Sequence, residues 1–446
     1  MNPVTPDSGV SRRDFLKATS QAAAGLSLMA GLGAERSARA AGDDTIKLAL
    51  VGCGGRGSGA AGQALSTGNV KLVAVADTFE NRIDSSLVAL QKAHPDRVDP
   101  DKIAKFTGFD AYKKAMAEAD VVICATPPGF RPRHFEEAVA QGKNVFLEKP
   151  LATDPVGVRR VLAANAEAKK KNLKVGVGFQ RHHHPGYIEA LKRIQDGAIG
   201  EILDVRVYWR GSSRGGQARR PDETELQYQI RNWYFFTYLS GDHIVEQHCH
   251  NIDVANWFKG ANPIRANGIG GRQSRTSHEC GQIFDHHYAE FEYEDGTRMI
   301  SQCSQFPAKW GRVAETLVGS KGTADFNNDR NLFVIKGARP WKYAGPSVNP
   351  YQTEHDDFFA AIRSGASYNE ADYGANSTMT AIMGRMATYS GEEVEWERAF
   401  NCDVALAPSD FYWDMRPPVE PGADANYPVA HPGRTTAYTN FSQSQG

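Results

Sequence analysis

A glycine-rich loop near the start of the sequence has the spacing of a dinucleotide-binding site. It reads Gly52-Cys53-Gly54-Gly55-Arg56-Gly57 and follows the apolar run 46–51. In such loops the first glycine allows a tight turn, the second lets the backbone approach a pyrophosphate, and the third lets the following helix pack closely. Asp77 ends the next apolar run, 20 residues after Gly57, where a carboxylate binds the ribose hydroxyls of NAD. The sequence therefore predicts an NAD site. NADP stays open because Arg82 could neutralise a 2′-phosphate, and the alternative is a glycine-rich turn with a capping aspartate.

Two further segments carry side chains that can move a proton. Lys149 stands in the triplet Glu148-Lys149-Pro150, directly after the apolar run 144–147. This position predicts the carboxyl edge of a parallel sheet, where ligands bind in such folds. Glu246 and His250 lie in a histidine-rich segment. Oxidation of an alcohol carbon requires removal of the hydroxyl proton, which an imidazole or an amine can accept near neutral pH.

The histidines raise the question of a metal. They cluster at 182–184, at 243–250 and at 286–287, and imidazole with carboxylate suits zinc or manganese. The spacing from His243 to His250 fits no standard zinc motif. We therefore expect histidines that bind substrate or are satisfied within the fold, and no metal site.

A stretch between residues 209 and 238 combines aromatic side chains with arginines, among them Trp233. Aromatic faces suit the C–H faces of a sugar ring, and arginines suit its hydroxyl edges. The same residue types are enriched in subunit interfaces. Both a sugar site and an interface are compatible with this stretch.

The order of apolar and helical segments predicts the architecture. Apolar runs at 46–51, 71–76, 121–125, 144–147 and 174–177 alternate with helical stretches such as 135–141 and 158–171. This alternation is typical of a parallel sheet with helices on both faces. After about residue 180 the chain offers longer strand-like segments, at 202–209, 282–293, 297–302 and 315–319, with a hairpin signal at 294–296. The predicted fold class is α/β: an N-terminal Rossmann doubly wound parallel sheet plus a C-terminal α+β domain with an open, mainly antiparallel sheet.

Composition and segment boundaries agree with a multidomain enzyme. The chain has 446 residues, with 51 Lys and Arg against 52 Asp and Glu. This balance argues against a nucleic-acid partner, which normally requires a basic excess. The six cysteines are scattered without a CxxC pair, so a structural zinc is not expected. We predict a signal peptide (1–40), a Rossmann domain (44–175), a substrate and oligomerisation domain (176–404) and a C-terminal arm (405–446).

Taken together, these motifs resemble the Gfo/Idh/MocA family, named for glucose–fructose oxidoreductase, inositol dehydrogenase and a rhizopine-catabolism protein. The resemblance covers roughly residues 44 to 390 and rests on the glycine loop, Asp77, Ala125-Thr126-Pro127, Glu148-Lys149-Pro150 and the segment 246–253. It implies that His250 is the acid/base, that Lys149 polarises the substrate oxygen, and that Glu246 replaces the usual aspartate. It further implies that cofactor contacts come from Gly52, Gly54, Arg56, Gly57, Asp77, Arg82, Thr126, Pro127, Glu148 and Lys149, and substrate contacts from Arg181, Trp233 and Asp253. Family members often pair through their open sheet, which implies a homo-oligomer, either a dimer or a tetramer.

The N-terminal segment predicts export. Ser11-Arg12-Arg13 precedes an uncharged stretch at 18–34 and the cleavage pattern Ala38-Arg39-Ala40, which is typical of a twin-arginine signal leading to the periplasm; the alternative is a disordered basic tail. After processing we expect no membrane association. Because a periplasm has no ready pool of free NAD, we expect a tightly bound cofactor and hydride transfer on a sugar, cyclitol or derivative. The alternatives are a redox-neutral glycoside hydrolase, lyase or epimerase, and a sugar sensor without turnover.

Overall fold

The computed structural model of this chain describes residues 45–211, 215–306 and 310–440. The predicted signal peptide, residues 1–40, lies outside these ranges. Within them, no helix is both long and apolar enough to cross a membrane.

The first sheet has six parallel strands and confirms the predicted Rossmann fold. Its spatial order is β3-β2-β1-β4-β5-β6, so the strand order reverses between β1 and β4, where ligands bind in such sheets. The strands are β1 (Ile46–Val51), β2 (Val70–Asp77), β3 (Ala104–Thr107), β4 (Val121–Cys124), β5 (Asn144–Leu147) and β6 (Val175–Val177). The intervening helices are α1 (Gly55–Ser66), α2 (Glu80–Ala93), α3 (Ala111–Ala117), α4 (Arg131–Ala140) and α5 (Pro155–Lys170).

Local sequence explains where these elements begin. β4 is apolar and buried along its whole length, and β1 is apolar and buried from Leu48 to Val51, as expected for central strands of a covered parallel sheet. Helix α5 starts after Asp154, whose carboxylate accepts a hydrogen bond from the Gly157 N–H at 2.7 Å, with Pro155 in the first helical position.

The second sheet has nine strands in the order β14-β13-β12-β11-β7-β10-β9-β8-β15. Only β7 and β10 run parallel; the other neighbouring pairs are antiparallel, which confirms the predicted mainly antiparallel sheet. The predicted turn at 294–296 joins β9 to β10 as a hairpin. The strands are β7 (Ile202–Gly211), β8 (Arg265–Gly271), β9 (His286–Glu292), β10 (Arg298–Gln305), β11 (Arg312–Gly319), β12 (Gly322–Asn327), β13 (Leu332–Gly337), β14 (Trp341–Lys342) and β15 (Val394–Glu395).

The part of the chain that forms this second sheet also contains helices. They are α6 (Pro185–Gln195), α7 (Glu225–Arg231), α8 (Thr237–Ser240), α9 (His243–Glu246), α10 (Cys249–Lys259), α11 (Pro350–Ser364), α12 (Ala371–Ser390) and α13 (Trp396–Asn401). Helices α10 and α12 pack on the sheet, and almost all of α12 is buried. The opposite face carries half-buried side chains such as Tyr208 and Tyr288, and Ile269 is 72% exposed.

One late helix returns to the first sheet. Phe358 and Phe359 of α11 are fully buried in the same apolar cluster as Leu48, Leu50 and Leu72 of β1 and β2. The chain therefore completes the core beside its first strands with residues that follow the second sheet.

Candidate active site

A cavity of about 580 Å³ opens at the carboxyl edge of the first sheet. Its walls come from the loops after β1, β2, β4 and β5, and from the second domain's β7, the segment 215–235 and the region around α9 and α10. It is thus lined by both predicted domains, as is common for ligand sites.

The glycine loop has the geometry that a bound dinucleotide requires. Gly52 has a φ of +97°, and a Cβ on Gly57 would stand 1.9 Å from the Gly52 carbonyl oxygen. By contrast, a Cβ on Gly54 would meet no heavy atom within 4 Å among the described residues. Helix α1 begins at Gly55 and presents its first N–H groups at this open space. The tight turn, the open face and the close helix packing fit a pyrophosphate group.

Asp77 lies at the end of β2 on the cavity wall. Its carboxylate accepts hydrogen bonds from the N–H of Cys53 at 2.8 Å and the N–H of Phe79 at 3.0 Å. Burial raises the pKa of Asp77, an effect that these N–H groups and the nearby Arg82 oppose. The carboxylate thus fixes the loop and stands on the wall of the cavity, as does Arg82.

Arg56 and Glu148, both predicted to contact the cofactor, form an ion pair with each other. The Arg56 Nε lies 2.8 Å from Glu148 Oε1, and the Arg56 guanidinium lies 4.9 Å from the centre of the Tyr351 ring. Tyr351 belongs to α11 and also lines the cavity. Tyr351 could not be identified from the sequence, because its contact depends on the return of α11 to the first sheet.

Lys149 projects from the end of β5 to the second domain. Its Nζ donates a hydrogen bond to the Glu246 carbonyl oxygen at 2.5 Å and lies 3.3 Å from Glu246 Oε1. Burial is the largest single effect and acts to lower the pKa of Lys149, but the nearby acidic groups, Glu246 first and Glu148 among them, together outweigh it, so the net shift is upward. Lys149 is therefore an ammonium ion at neutral pH and acts as a hydrogen-bond donor rather than as a base.

His250 stands on the same cavity wall, in the first turn of α10. It is only 4% exposed, and its Nδ1 has no hydrogen-bond partner among the described residues. Burial, and next to it the charge of Lys149, hold the pKa of His250 well below 6.5. The imidazole is therefore neutral near pH 7 and can accept a proton.

The segment around Glu246 and His250 is divided between two helices. Helix α9 ends at Glu246 and α10 begins at Cys249, with Gln247 and His248 between them. Glu246 and His250 therefore lie on different helices, because the helix is interrupted at Gln247 and His248. Both side chains nevertheless line the cavity.

Arg181 and Asp253, predicted to contact substrate, do not line the cavity. Arg181 forms a buried ion pair with Glu315, whose carboxylate also accepts a hydrogen bond from Asn251, the neighbour of His250. Asp253 lies 2.8 Å from His182 Nε2 and accepts a hydrogen bond from Ser377 at 2.8 Å. The contacts of both residues fix the position of α10 on its side away from the cavity. Arg181 and Asp253 therefore support the helix that carries His250.

The aromatic segment divides between the cavity and the core. Trp209, Arg231, Trp233 and Tyr234 line the cavity, and the Trp209 ring lies parallel to that of His250 with centroids 6.1 Å apart. Arg231 is held by Glu223, with its Nε 2.6 Å from Oε1.

Thr126 and Pro127 line the cavity after β4. Thr126 Oγ1 lies 3.0 Å from His134 Nδ1. The buried Arg131 donates hydrogen bonds to the carbonyl oxygens of Thr126 and Pro150, and burial lowers its pKa to about 10. Arg131 therefore ties the loop after β4 to the loop that carries Lys149.

Among the described residues, Asp242, His243 and His287 place potential ligand atoms within 4.8 Å of one another. The Asp242 carboxylate already accepts hydrogen bonds from the Tyr389 hydroxyl at 2.6 Å and the Phe284 N–H at 2.9 Å. All three residues are fully enclosed, with at most 3% exposure. The carboxylate is therefore satisfied by protein donors, whereas neither ring nitrogen of His243 has a hydrogen-bond partner among the described residues.

Comparison with protein families agrees with the two-domain organisation of the site. Residues 46–179 match the model of the oxidoreductase family with an NAD-binding Rossmann fold. Residues 187–325 match the Gfo/Idh/MocA C-terminal domain.

Individual relatives are similar over most of their length. The chain is 26% identical over 332 residues to an inositol 2-dehydrogenase of Rhizobium meliloti, covering 72% of this chain and 90% of the relative. It is 24% identical over 292 residues to the scyllo-inositol 2-dehydrogenase (NAD(+)) of Bacillus subtilis, covering 65% of this chain and 76% of the relative.

Solved structures share the fold. A scyllo-inositol dehydrogenase from Lactobacillus casei, crystallised with NAD(H) and scyllo-inositol, has a TM-score of 0.61 at 21% identity and covers 79% of this chain and 99% of that chain. An aldose-aldose oxidoreductase from Caulobacter crescentus has a TM-score of 0.62 at 17% identity, with the same coverage. The chain belongs to the Gfo/Idh/MocA family of NAD-dependent oxidoreductases.

Proposed function

We propose that this protein oxidises a secondary hydroxyl group of a cyclitol or a closely related sugar, with NAD as the hydride acceptor. The observation that carries the proposal is the meeting of Lys149, Glu246 and His250 on the wall of the cavity that holds the glycine loop. The curated names of the relatives, which are inositol 2-dehydrogenases, support a cyclitol as substrate.

The protonation states of the two residues assign their roles. The neutral imidazole of His250 accepts the hydroxyl proton at a ring nitrogen. Lys149 has three N–H donors. The described hydrogen bonds to Glu246 use those that face this residue. Another N–H can point at the substrate oxygen and stabilise its developing negative charge. NAD, when bound, takes up the hydride from the substrate carbon.

Glu246 and the aromatic wall position these groups. Glu246 holds the Lys149 ammonium and keeps it charged. Trp209 and Trp233, which line the cavity, offer flat surfaces for the C–H face of a ring.

The experiment is a substrate screen with the purified protein lacking residues 1–40. NADH formation is followed by absorbance with inositol isomers, aldoses and simple aliphatic alcohols. Turnover with cyclitols or sugars and none with simple alcohols supports the proposal. Turnover of glycosides without net NADH formation would instead favour the redox-neutral alternative.

We also propose that residues 1–40 direct export through the twin-arginine pathway. The support is the ordered sequence of arginine pair, uncharged stretch and cleavage pattern. A reporter fused to residues 1–41 should reach the periplasm only when the translocase is present and Arg12-Arg13 is intact. A reporter that stays cytoplasmic with the translocase present contradicts the proposal.

For the quaternary structure we propose a homo-oligomer formed through the uncovered face of the second sheet. Tyr208, Tyr288 and Ile269 place apolar surface there, and aromatic residues are enriched in interfaces. Light scattering should give the mass of a dimer or tetramer for the wild type. Ile269→Lys should reduce the number of subunits in the oligomer. A monomeric wild type contradicts the proposal.

A further inference from the structure

The C-terminal arm, residues 405–440 as described, packs against the cofactor side of the first domain of its own chain. The N–H groups of Leu406 and Ala407 donate to Asp154 Oδ2 at 2.8 and 3.1 Å. Asp410 forms an ion pair with Arg133 of α4. The arm therefore begins with fixed polar contacts to the helices that follow β4 and β5.

Two aromatic residues of the arm contact three aromatic residues of the cavity wall. The Phe411 ring lies 4.3 Å from that of Phe130 and 5.7 Å from that of Phe109. The Trp413 ring lies 4.5 Å from Phe109 and 5.9 Å from Phe79. Phe79, Phe109 and Phe130 all line the cavity. The arm thus forms a second layer directly behind this part of the wall.

The part of the cavity that is supported in this way is its adenosine end. Phe79 follows Asp77, the carboxylate placed to bind the adenosine ribose. Phe109 follows β3, the neighbour of β2. In a dinucleotide fold, side chains at the ends of these two strands enclose the adenosine half rather than the reacting half. Lys149 and His250 stand elsewhere on the wall, after β5 and in α10.

The same arm holds the opposite wall. Gln229 of α7 donates a hydrogen bond to the Val419 carbonyl oxygen at 2.8 Å, and the Tyr427 hydroxyl donates to Glu225 at 2.5 Å. Val419 and Tyr427 share one apolar cluster with Ile230, which lines the cavity. The arm therefore connects the first domain's aromatic wall with the segment 215–235 on the other side.

This arm is additional to the matched family domains. The two family models cover residues 46–179 and 187–325, and neither reaches residue 405.

We propose that the C-terminal arm is a clasp that slows the release of bound NAD. By holding Phe79 and Phe109 from behind and tying them to the opposite wall, it limits the opening of the adenosine end through which the nucleotide leaves. The proposal rests on the NAD site of the proposed function and adds cofactor retention to it. Retention suits an enzyme that works where free NAD is scarce.

The test measures the dissociation rate of NADH from the whole mature protein. Protein loaded with NADH is mixed with an excess of NAD⁺, and the decay of NADH fluorescence gives the rate constant. Trp413→Ala removes the ring behind Phe79 and Phe109; Trp413 is 37% exposed, so the change leaves the buried core intact. We expect release about tenfold faster, given the strength of an aromatic pair together with the lost contact area.

Matched variants separate the clasp from a general loss of stability. Tyr412→Ala changes the adjacent residue, which is 56% exposed, and should leave the release rate unchanged. Trp413→Phe should restore slow release. Asp410→Asn removes the charge that pairs with Arg133, while its amide oxygen can still accept the hydrogen bond from the Phe411 N–H, and it should accelerate release by a smaller factor. The kcat of Trp413→Ala should not fall, because the reacting groups are untouched.

The outcomes distinguish this proposal from the function on which it rests. Equal NADH release from wild type and Trp413→Ala overturns the clasp alone, and so does equal acceleration in Tyr412→Ala. Absence of NADH binding by wild type overturns both proposals. Fast release in Trp413→Ala with no oxidation of any cyclitol or sugar supports the clasp and overturns the substrate assignment.

Discussion

Replacing Gly57 with alanine places a methyl group where the loop's own backbone stands. The new Cβ would lie 1.9 Å from the Gly52 carbonyl oxygen and 3.2 Å from the Ala125 Cβ. Since the first contact is with backbone, no flexible side chain can move aside. Helix α1 must shift away from β1 by more than an ångström, and the loop between them must change shape.

The expected cost follows from the size of this overlap. Overpacking of a close-packed interior costs about 1 to 3 kcal/mol, and a backbone contact belongs at the upper end. An unfolding entropy of about 2.1 cal/mol/K per residue over roughly 400 residues gives about 0.8 kcal/mol/K. The melting temperature should therefore fall by about 4 °C. The displaced N–H groups lose charge-assisted hydrogen bonds to the pyrophosphate, which is worth about ten- to a hundredfold in NAD affinity.

Two neighbouring glycines supply matched controls, because a Cβ on Gly54 or on Gly55 meets no described heavy atom within 4 Å. Gly55→Ala should leave both melting temperature and NAD affinity unchanged or slightly improved, since it lies in the first turn of α1. Gly54→Ala should keep the melting temperature but weaken NAD, because its methyl group enters the space left for the pyrophosphate.

Calorimetry of the three nucleotide-free variants gives their melting temperatures, and titration with NAD gives their affinities for the cofactor. If Gly57→Ala melts with the wild type and binds NAD with wild-type affinity, the close packing of α1 on the loop does not exist as described. If Gly54→Ala binds NAD normally, the pyrophosphate does not lie against this loop.

Four further outcomes follow from the site. Lys149→Met should lower kcat about 10²- to 10³-fold, the effect of losing one donor to a developing negative charge, with little change in NAD affinity measured by titration; full turnover would exclude the polarising role. Burial, and then the charge of Lys149, keep the pKa of His250 well below 6.5. As the pH is lowered through 6.5, kcat/KM should therefore not fall. A fall with a midpoint near pH 6.5 that disappears in His250→Asn would contradict the buried environment described for His250. Asp77→Ala should weaken NAD more than NADP in titrations, and equal losses would show that Asp77 does not select the cofactor. Burial acts to lower the pKa of His183, but its hydrogen bonds to two carboxylates outweigh this and raise the pKa to about 10. The protonated His183 therefore stabilises the folded state fully below the unfolded-state pKa of 6.5, and this stabilisation is lost as the pH rises through about 10. Between pH 6.5 and about 10 the melting temperature should fall, and it should fall less in His183→Gln.

The strands of the first sheet were predictable from the sequence because their signals are local. The predicted runs at 46–51 and 144–147 coincide with β1 and β5, since the buried part of a parallel strand is a continuous apolar run. The short strand β3 (Ala104–Thr107) was missed, because it lies at the sheet edge and alternates half-buried with exposed residues.

The surroundings of the site were predictable only in part. The residues after β1, β2, β4 and β5 reach the cavity because strand ends in a parallel sheet share one edge. Arg181 and Asp253 turned out to lie behind it because their partners, Glu315 and Ser377, are distant in sequence. Tyr351 escaped notice for the same reason, since nothing local indicates that α11 crosses back to the first sheet.

That crossing has a consequence for biosynthesis. The core beside β1 and β2 lacks Phe358 and Phe359 until α11 has been made, so a nascent chain that has emerged from the ribosome only as far as the second sheet still exposes apolar surface beside these two strands. Maturation of the first sheet is thus delayed until most of the polypeptide has been translated. A fragment ending near residue 180 should be insoluble when expressed alone and should be rescued by co-expression of the remainder.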